Sequence, residues 1–209
     1  MTERISNYEI TKKRVQGEFL KYNQDTMIRK FSLKHDEKYL YIRFIGHLYR
    51  IDRSIGYLEW SQDGFCTCVE AGFNESLTIY DLLCDSKEHC RASGEYINLQ
   101  SLSCLQSGSK KLGEGLTNGE EKRFDHEPER LCLACERLSG IKAGKGDVAY
   151  EIPLFEFLSC RIQFWHSDED FPAVLHIFLD KQVLDFIRYE TVWYAVSHLK
   201  KRLIEESNL

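Results

Sequence analysis

Proline is scarce: Pro128, Pro153 and Pro172 are the only three in 209 residues, so few points along the chain are obliged to break a helix or leave a sheet. Positive charge is also in deficit. A formal net charge of −5 and a pI near 5.8 argue against the basic stripe with which proteins neutralise nucleic-acid phosphates. No apolar run approaches the ~18 residues that span a bilayer. The opening Met1-Thr2-Glu3-Arg4-Ile5-Ser6 also lacks an apolar signal core, which predicts a cytoplasmic chain with neither a membrane nor a nucleic-acid partner. Without a secretory signal, the eight cysteines are expected as thiols, some buried as small apolar side chains. Gly140, Gly144 and Gly146 are not followed by Gly-Lys-Ser/Thr, and Asp147 stands where a phosphate would be repelled, so no Walker loop is present.

What the chain has in quantity is apolar and aromatic content, 43% and 12%, enough for a sizeable core. The pattern predicts a single α+β domain over residues 1–209, an antiparallel sheet with flanking N- and C-terminal helices. Ser6-x-x-Glu9 resembles a capping box, and Tyr8, Val15, Phe19 and Tyr22 share one face of the helix it opens, ending at Asn23 to Asp25. From Met27 the period becomes two. Leu40, Ile42 and Phe44 oppose Tyr39, Tyr41 and Arg43, with turns at His35-Asp36 and Gly46, which predicts a meander of three or four strands through Trp60. The aromatics of its second face are expected beneath a helix or, alternatively, over a ligand.

Cys66-Thr67-Cys68 would place two sulfurs on one side of an extended segment. Asn74 is the expected cap of a helix with Leu77, Tyr80 and Leu83 or Cys84 on one face, and Cys84, His89 and Cys90 follow as candidate soft-metal ligands. Nothing here repeats the paired short spacing of a zinc site. Residues 107–126, rich in Gly, Lys and Glu, read as a mobile loop. Pro128 then opens a helix with Leu131, Ala134, Cys135 and Leu138 inward and Gly140 as its stop. Cys132 and Cys135 lie inside that helix, where a redox pair would need its first sulfur at the N-terminus.

The stretch Phe164-Trp165-His166-Ser167-Asp168-Glu169-Asp170-Phe171-Pro172 sets an imidazole and three carboxylates between two alternating runs, Leu158 to Phe164 and Ala173 to Leu179. That is a hairpin with an acidic tip. It reads either as a solvated turn, in which Asp and Ser bond their own backbone, or as a binding site. A last helix opens at Tyr189-Glu190-Thr191 and repeats Val192, Val196, Leu199 and Leu203 at helical spacing. Glu190 either complements its dipole or joins the hairpin in a site. The candidate ligand-binding residues are Trp165, His166, Asp168, Glu169, Asp170, Tyr189, Glu190 and Trp193, with no metal ligand assigned.

The hairpin stretch and Tyr189-Glu190-Thr191-Val192-Trp193-Tyr194, together with Asn74 to Leu83 and Gly146-Asp147, resemble the signature of a bacterial and archaeal domain-of-unknown-function family, number 3786. The resemblance covers nearly the whole chain. Some members are similar in carrying an added cysteine-rich domain, of the kind that holds an iron–sulfur cluster beside corrinoid proteins of anaerobic one-carbon metabolism. This chain departs from them in having no compact run of four cysteines.

Three functions fit these residues. The first is an accessory protein that binds a small ligand, a cofactor or a partner protein, with Trp165 and Trp193 lining a pocket and the carboxylates orienting a polar group. The second is a metal-dependent enzyme using His166 with Asp168, Glu169 or Asp170. The third is a thiolate metal or iron–sulfur protein built on Cys66, Cys68, Cys84, Cys90, Cys132 and Cys135.

Overall fold

The computed structural model describes residues 6–102 and 119–208. The architecture is α+β, with antiparallel sheets and helices at both ends of the chain. Contacts group it into two compact units, one made by the chain up to Cys90 with Leu184–Ala195, the other by Arg91–Val183 with Val196 onward.

In the first unit, α1 (Asn7–Phe19) starts where the Ser6 hydroxyl oxygen accepts the Glu9 amide at 3.2 Å. It stops at Phe19, short of the expected Asn23 to Asp25. Asn23 opens a second helix instead, its Oδ1 accepting the Thr26 amide at 3.1 Å, and α2 (Gln24–Phe31) occupies the region where strand alternation was expected from Met27. An Asn that reads as a helix stop is equally an N-cap, and Asp25 behind it suits a first turn. Of the four residues expected on the buried face of α1, Phe19 is fully buried, while Tyr8 and Tyr22 are exposed.

The expected meander follows, with five strands: β1 (Lys34–His35), β2 (Tyr39–Phe44), β3 (His47–Asp52), β4 (Leu58–Ser61) and β5 (Val69–Glu70), paired in chain order. Ile45 and Gly46 both have positive φ, 43° and 82°, the conformation of a tight hairpin turn matched to strand twist. Leu40 and Ile42 face inward beside their partners Ile51 and Tyr49, each worth ~1.5–3 kcal/mol as a buried large side chain. The second face gathers on a cation. The Arg50 guanidinium lies 4.3 Å from the Tyr39 ring and 4.4 Å from the Phe65 ring, and its Nε donates to Glu59 at 2.6 Å. Cys66-Thr67-Cys68 is not extended: Asp63 accepts the Thr67 amide and hydroxyl and the Ser61 hydroxyl, folding the segment into a bend.

Helix α3 (Phe73–Asp85) is capped by Gly72, and Asn74 lies inside its first turn. A Cβ on Gly72 would stand 2.6 Å from Glu75 Oε2, so any larger residue there would oblige that carboxylate to move. The helix is buried on nearly all sides, Glu75, Ser76 and Thr78 to Leu83, rather than along the single stripe expected. Tyr80 donates its hydroxyl to the Gly56 carbonyl.

The second unit contains β6 (Tyr96–Asn98), α4 (Leu99–Leu102), α5 (Glu120–Phe124), α6 (Pro128–Arg137), β7 (Ile141–Lys142), β8 (Val148–Phe155), β9 (Leu158–Trp165) and β10 (Val174–Asp180). The loop expected at 107–126 lies outside the described residues as far as residue 118, and its end is α5. The sheet order is β6-β10-β9-β8-β7. The Gly144–Gly146 segment is the turn of the β7–β8 hairpin. Leu158, Cys160, Ile162 and Phe164 are buried, as their alternation predicts. Helix α6 buries Leu131, Ala134, Cys135 and Leu138 and ends with Ser139 at φ 62°. The amides of Ser139 and Gly140 return to the carbonyls of Glu136 and Cys135 there. Asp180, 1% exposed, accepts the Ser93 amide and hydroxyl and the Gly94 amide, fastening the segment before β6 to the end of β10.

A short α7 (Val183–Phe186) precedes α8 (Tyr189–Ser207), which contributes its residues through Ala195 to the first unit and the rest to the second. Val192, Val196, Leu199 and Leu203 are buried as their spacing predicts. Among the described residues, no helix is long and apolar enough to cross a membrane.

Candidate functional site

The loop between β9 and β10 begins after the Trp165–Val174 pair. Strand alternation turns Phe164 fully inward and leaves Trp165 44% exposed at the mouth of the loop. Two aspartates from elsewhere in the second unit then fix the path of the chain.

The first is Asp147. Gly146 has φ 139°, and a Cβ there would meet the Phe164 carbonyl oxygen at 2.9 Å, so glycine lets the β7–β8 turn close onto the end of β9. The Asp147 amide donates to the same carbonyl at 2.9 Å. Its carboxylate Oδ2 accepts the His166 amide at 2.8 Å and sits 2.6 Å from the ring Nδ1. A carboxylate can only accept here, so Nδ1 carries a proton and Nε2 is the nitrogen turned away from the pair. The His166 side chain is 56% exposed. The second is Asp125, just beyond α5, which accepts the Ser167 amide and hydroxyl, both at 2.7 Å. Those two bonds hold the Asp125 carboxyl below its ordinary range. Ser167 thus spends its proton on Asp125 and is not activated by the neighbouring imidazole.

Asp168 turns back on its own loop, Oδ1 accepting the Asp170 and Phe171 amides at 2.9 and 2.8 Å. Asp168 thus bonds its own backbone, as Asp does in a turn. Glu169 and Asp170 are exposed, as is Phe171 at 69%. Arg161, on the strand leading into the loop, pairs with Glu151 at 3.0 Å and lies 4.0 Å over the Tyr96 ring.

The remaining candidates, Tyr189, Glu190 and Trp193, belong to the first unit: Tyr189 is buried, Glu190 exposed and Trp193 half-buried. Their turn is anchored by a residue that sequence reasoning left without a role. Asp81 of α3, 3% exposed, accepts the Arg188 amide at 2.7 Å and the Arg188 Nε at 2.5 Å. The Arg188 Nη2 also reaches Asp85 at 3.1 Å. Asp81, Asp125, Asp147 and Arg188 are therefore the organising residues that the sequence reading missed. Gly146-Asp147 and the Asp81 segment had been noted as motifs, and the structure explains them as the partners of His166 and Arg188.

The cysteines take other roles. Burial pushes the Cys84 and Cys160 thiols up to about 12 and raises Cys135 strongly. Among the described residues, no three His, Cys, Asp or Glu side chains converge where they could hold a metal ion, which removes the grouping of Cys84, His89 and Cys90 with Cys66 and Cys68.

Nothing among curated proteins or solved structures matches the chain. The profile of one family, described as a domain of unknown function, DUF3786, matches residues 24–202, a span that contains the Asp81–Arg188 anchor, the Asp147–His166 pair and every candidate residue above. The chain belongs to the DUF3786 family.

Proposed function

We propose that this is a binding protein, an accessory that takes a small ligand or cofactor at the β9–β10 loop, with Trp165, His166, Asp168, Glu169 and Asp170 as its contacts. One observation carries the reading: Asp147 holds both the backbone and the ring of His166. A solvated turn has no need to immobilise a half-exposed imidazole, whereas a recognition site gains from doing so, because ordering costs are met before the ligand arrives. The exposed Trp165 beside it offers the apolar face that ligand sites combine with a few fixed polar groups. A link to anaerobic one-carbon metabolism is proposed on resemblance alone, from family members that carry an added cysteine-rich domain of the kind found beside corrinoid proteins.

The test is a cofactor screen, corrinoids included, read by amide shifts in 15N-labelled protein. Ligands should move the amides of residues 164–172, and His166→Gln should weaken them. Asp168→Asn should alter affinity while changing stability by less than about 0.5 kcal/mol. A ligand that binds tightly and leaves that loop unshifted refutes the assignment of the site.

A further inference from the structure

We propose that Cys66 and Cys68 form a reversible dithiol–disulfide site for low-molecular-weight disulfides, with Cys66 as the attacking and Cys68 as the resolving thiol. The site lies in the first unit and is independent of the binding reading above. These are the two exposed cysteines among the described residues. In an extended strand, Cα atoms two residues apart stand about 6.7 Å from each other, at the outer limit of what a disulfide spans. The segment is bent instead, which brings the pair closer. The bend is held at its centre, where Asp63 accepts the Thr67 amide at 2.9 Å and the Thr67 hydroxyl at 2.6 Å. The residue between the two sulfurs is therefore fixed while both thiols stay at the surface.

The surroundings give the two sulfurs different roles. Cys68 Sγ accepts from Arg50 Nη2 at 3.3 Å and lies 3.8 Å from the Phe65 carbonyl oxygen. Desolvation and the Glu59 carboxylate raise the Cys68 thiol above its ordinary value, so it waits protonated. The Cys66 thiolate attacks the disulfide R–S–S–R, forming Cys66–S–S–R and expelling RS⁻. Cys68 then gives its proton to water, and its thiolate, beside the Arg50 guanidinium, attacks the Cys66 sulfur and expels the second RS⁻. Two protein thiols are oxidised by two electrons, and R–S–S–R is reduced to two RSH. Arg50 can steady that thiolate because Glu59 and the Tyr39 and Phe65 rings already hold it in place. Closing so small a ring strains the bond, and strained, exposed disulfides are the readily reduced ones. Such a bond is transient by construction, the kind that a reducing compartment tolerates.

The experiment uses the full chain, reduced and kept under argon, with glutathione disulfide as the probe and peptide mass mapping after alkylation as the readout. The peptide holding Cys66 and Cys68 should become two hydrogens lighter and lose both alkylation sites, and excess reduced glutathione should restore them. Oxidation should also move the guanidinium 1H–15N signals of Arg50, which gives up the Cys68 sulfur. Cys68→Ser should trap glutathione on Cys66, whereas in Cys66→Ser the remaining Cys68 should take up glutathione several times more slowly. Glutathione on both cysteines without an internal bond, a bridge from either of them to another cysteine, or no reaction at all overturns the proposal. So does a bond that reduced glutathione leaves closed, or a Cys66→Ser variant that reacts as fast as Cys68→Ser.

Discussion

Removing Arg188 should cost more than removing Asp81, although Arg188 is the exposed partner. Asp81 is 3% exposed and takes two donors from Arg188, the amide and Nε, while the Arg188 side chain is 60% exposed and has Asp85 as a second partner. In Asp81→Ala the buried charge disappears along with its desolvation cost. The guanidinium stays with Asp85 and water, and the chief loss is the acceptor of one amide, ~1–2 kcal/mol. In Arg188→Ala a buried carboxylate survives with only that amide donor. Breaking a buried pair from one side costs ~3–5 kcal/mol, and the retained amide bond brings the expectation to about 2–4 kcal/mol. The double variant should fall back to the level of Asp81→Ala, so that a cycle of the three yields a coupling as large as the Arg188→Ala effect itself, roughly 2–4 kcal/mol. Urea denaturation followed by tryptophan fluorescence and far-ultraviolet circular dichroism measures all three. The two probes should trace one coincident transition if, as we propose, residues 1–209 fold as a single domain. An Arg188→Ala variant as stable as Asp81→Ala refutes the reasoning about the buried charge, and two separate transitions refute the single domain.

Acid should destabilise the protein through its turns. Thr67 holds the Asp63 carboxyl down to about 2, and Asp36, Asp52 and Asp125 are lowered by bonds led by Tyr41, Ser54 and Ser167. A lowered carboxyl stabilises the fold above its unfolded value, and that contribution is lost as pH falls through the folded value. The urea midpoint should therefore drop mainly between pH 3.8 and about 2, and a midpoint that rises across this window contradicts the bonding described. Thiol titration with an aromatic disulfide at pH 8 should modify Cys66 and Cys68 first, both being exposed, while Cys84, Cys135 and Cys160 react only on unfolding; early loss of any of these three would show that their burial is wrong. Cys104 lies outside the described residues.

Elements with a buried face and a regular period were legible. Leu158 to Phe164 alternate because one side of β9 is core, and Val192 to Leu203 repeat because one side of α8 is. Boundaries were less so, since the same residue types stop and start helices: Asn23 opens α2 where it read as an end, and Gly72 caps α3 where Asn74 was the better chemical candidate. The three-residue β6 carries no period at all. Its place in the sheet is secured by Asp180, 87 positions from Ser93. The candidate site was legible as a stretch but not as a geometry. Nothing local to His166 announces Asp147, 19 positions back, because one residue's carboxylate meets another's ring only once two hairpins have closed on each other.

The anchor between α3 and the start of α8 also sets a schedule for synthesis. Asp81 leaves the ribosome 107 residues ahead of Arg188, and at about 5–20 residues per second it waits roughly 5–20 s for its partner. Throughout that interval α3 lacks the segment Leu184–Ala195 that completes its unit, and its apolar surface is open to any other strand or helix within reach. The N-terminal unit, first to be translated, is thus among the last to be finished, and a chain truncated before Leu184 should accumulate as an aggregate or a chaperone client.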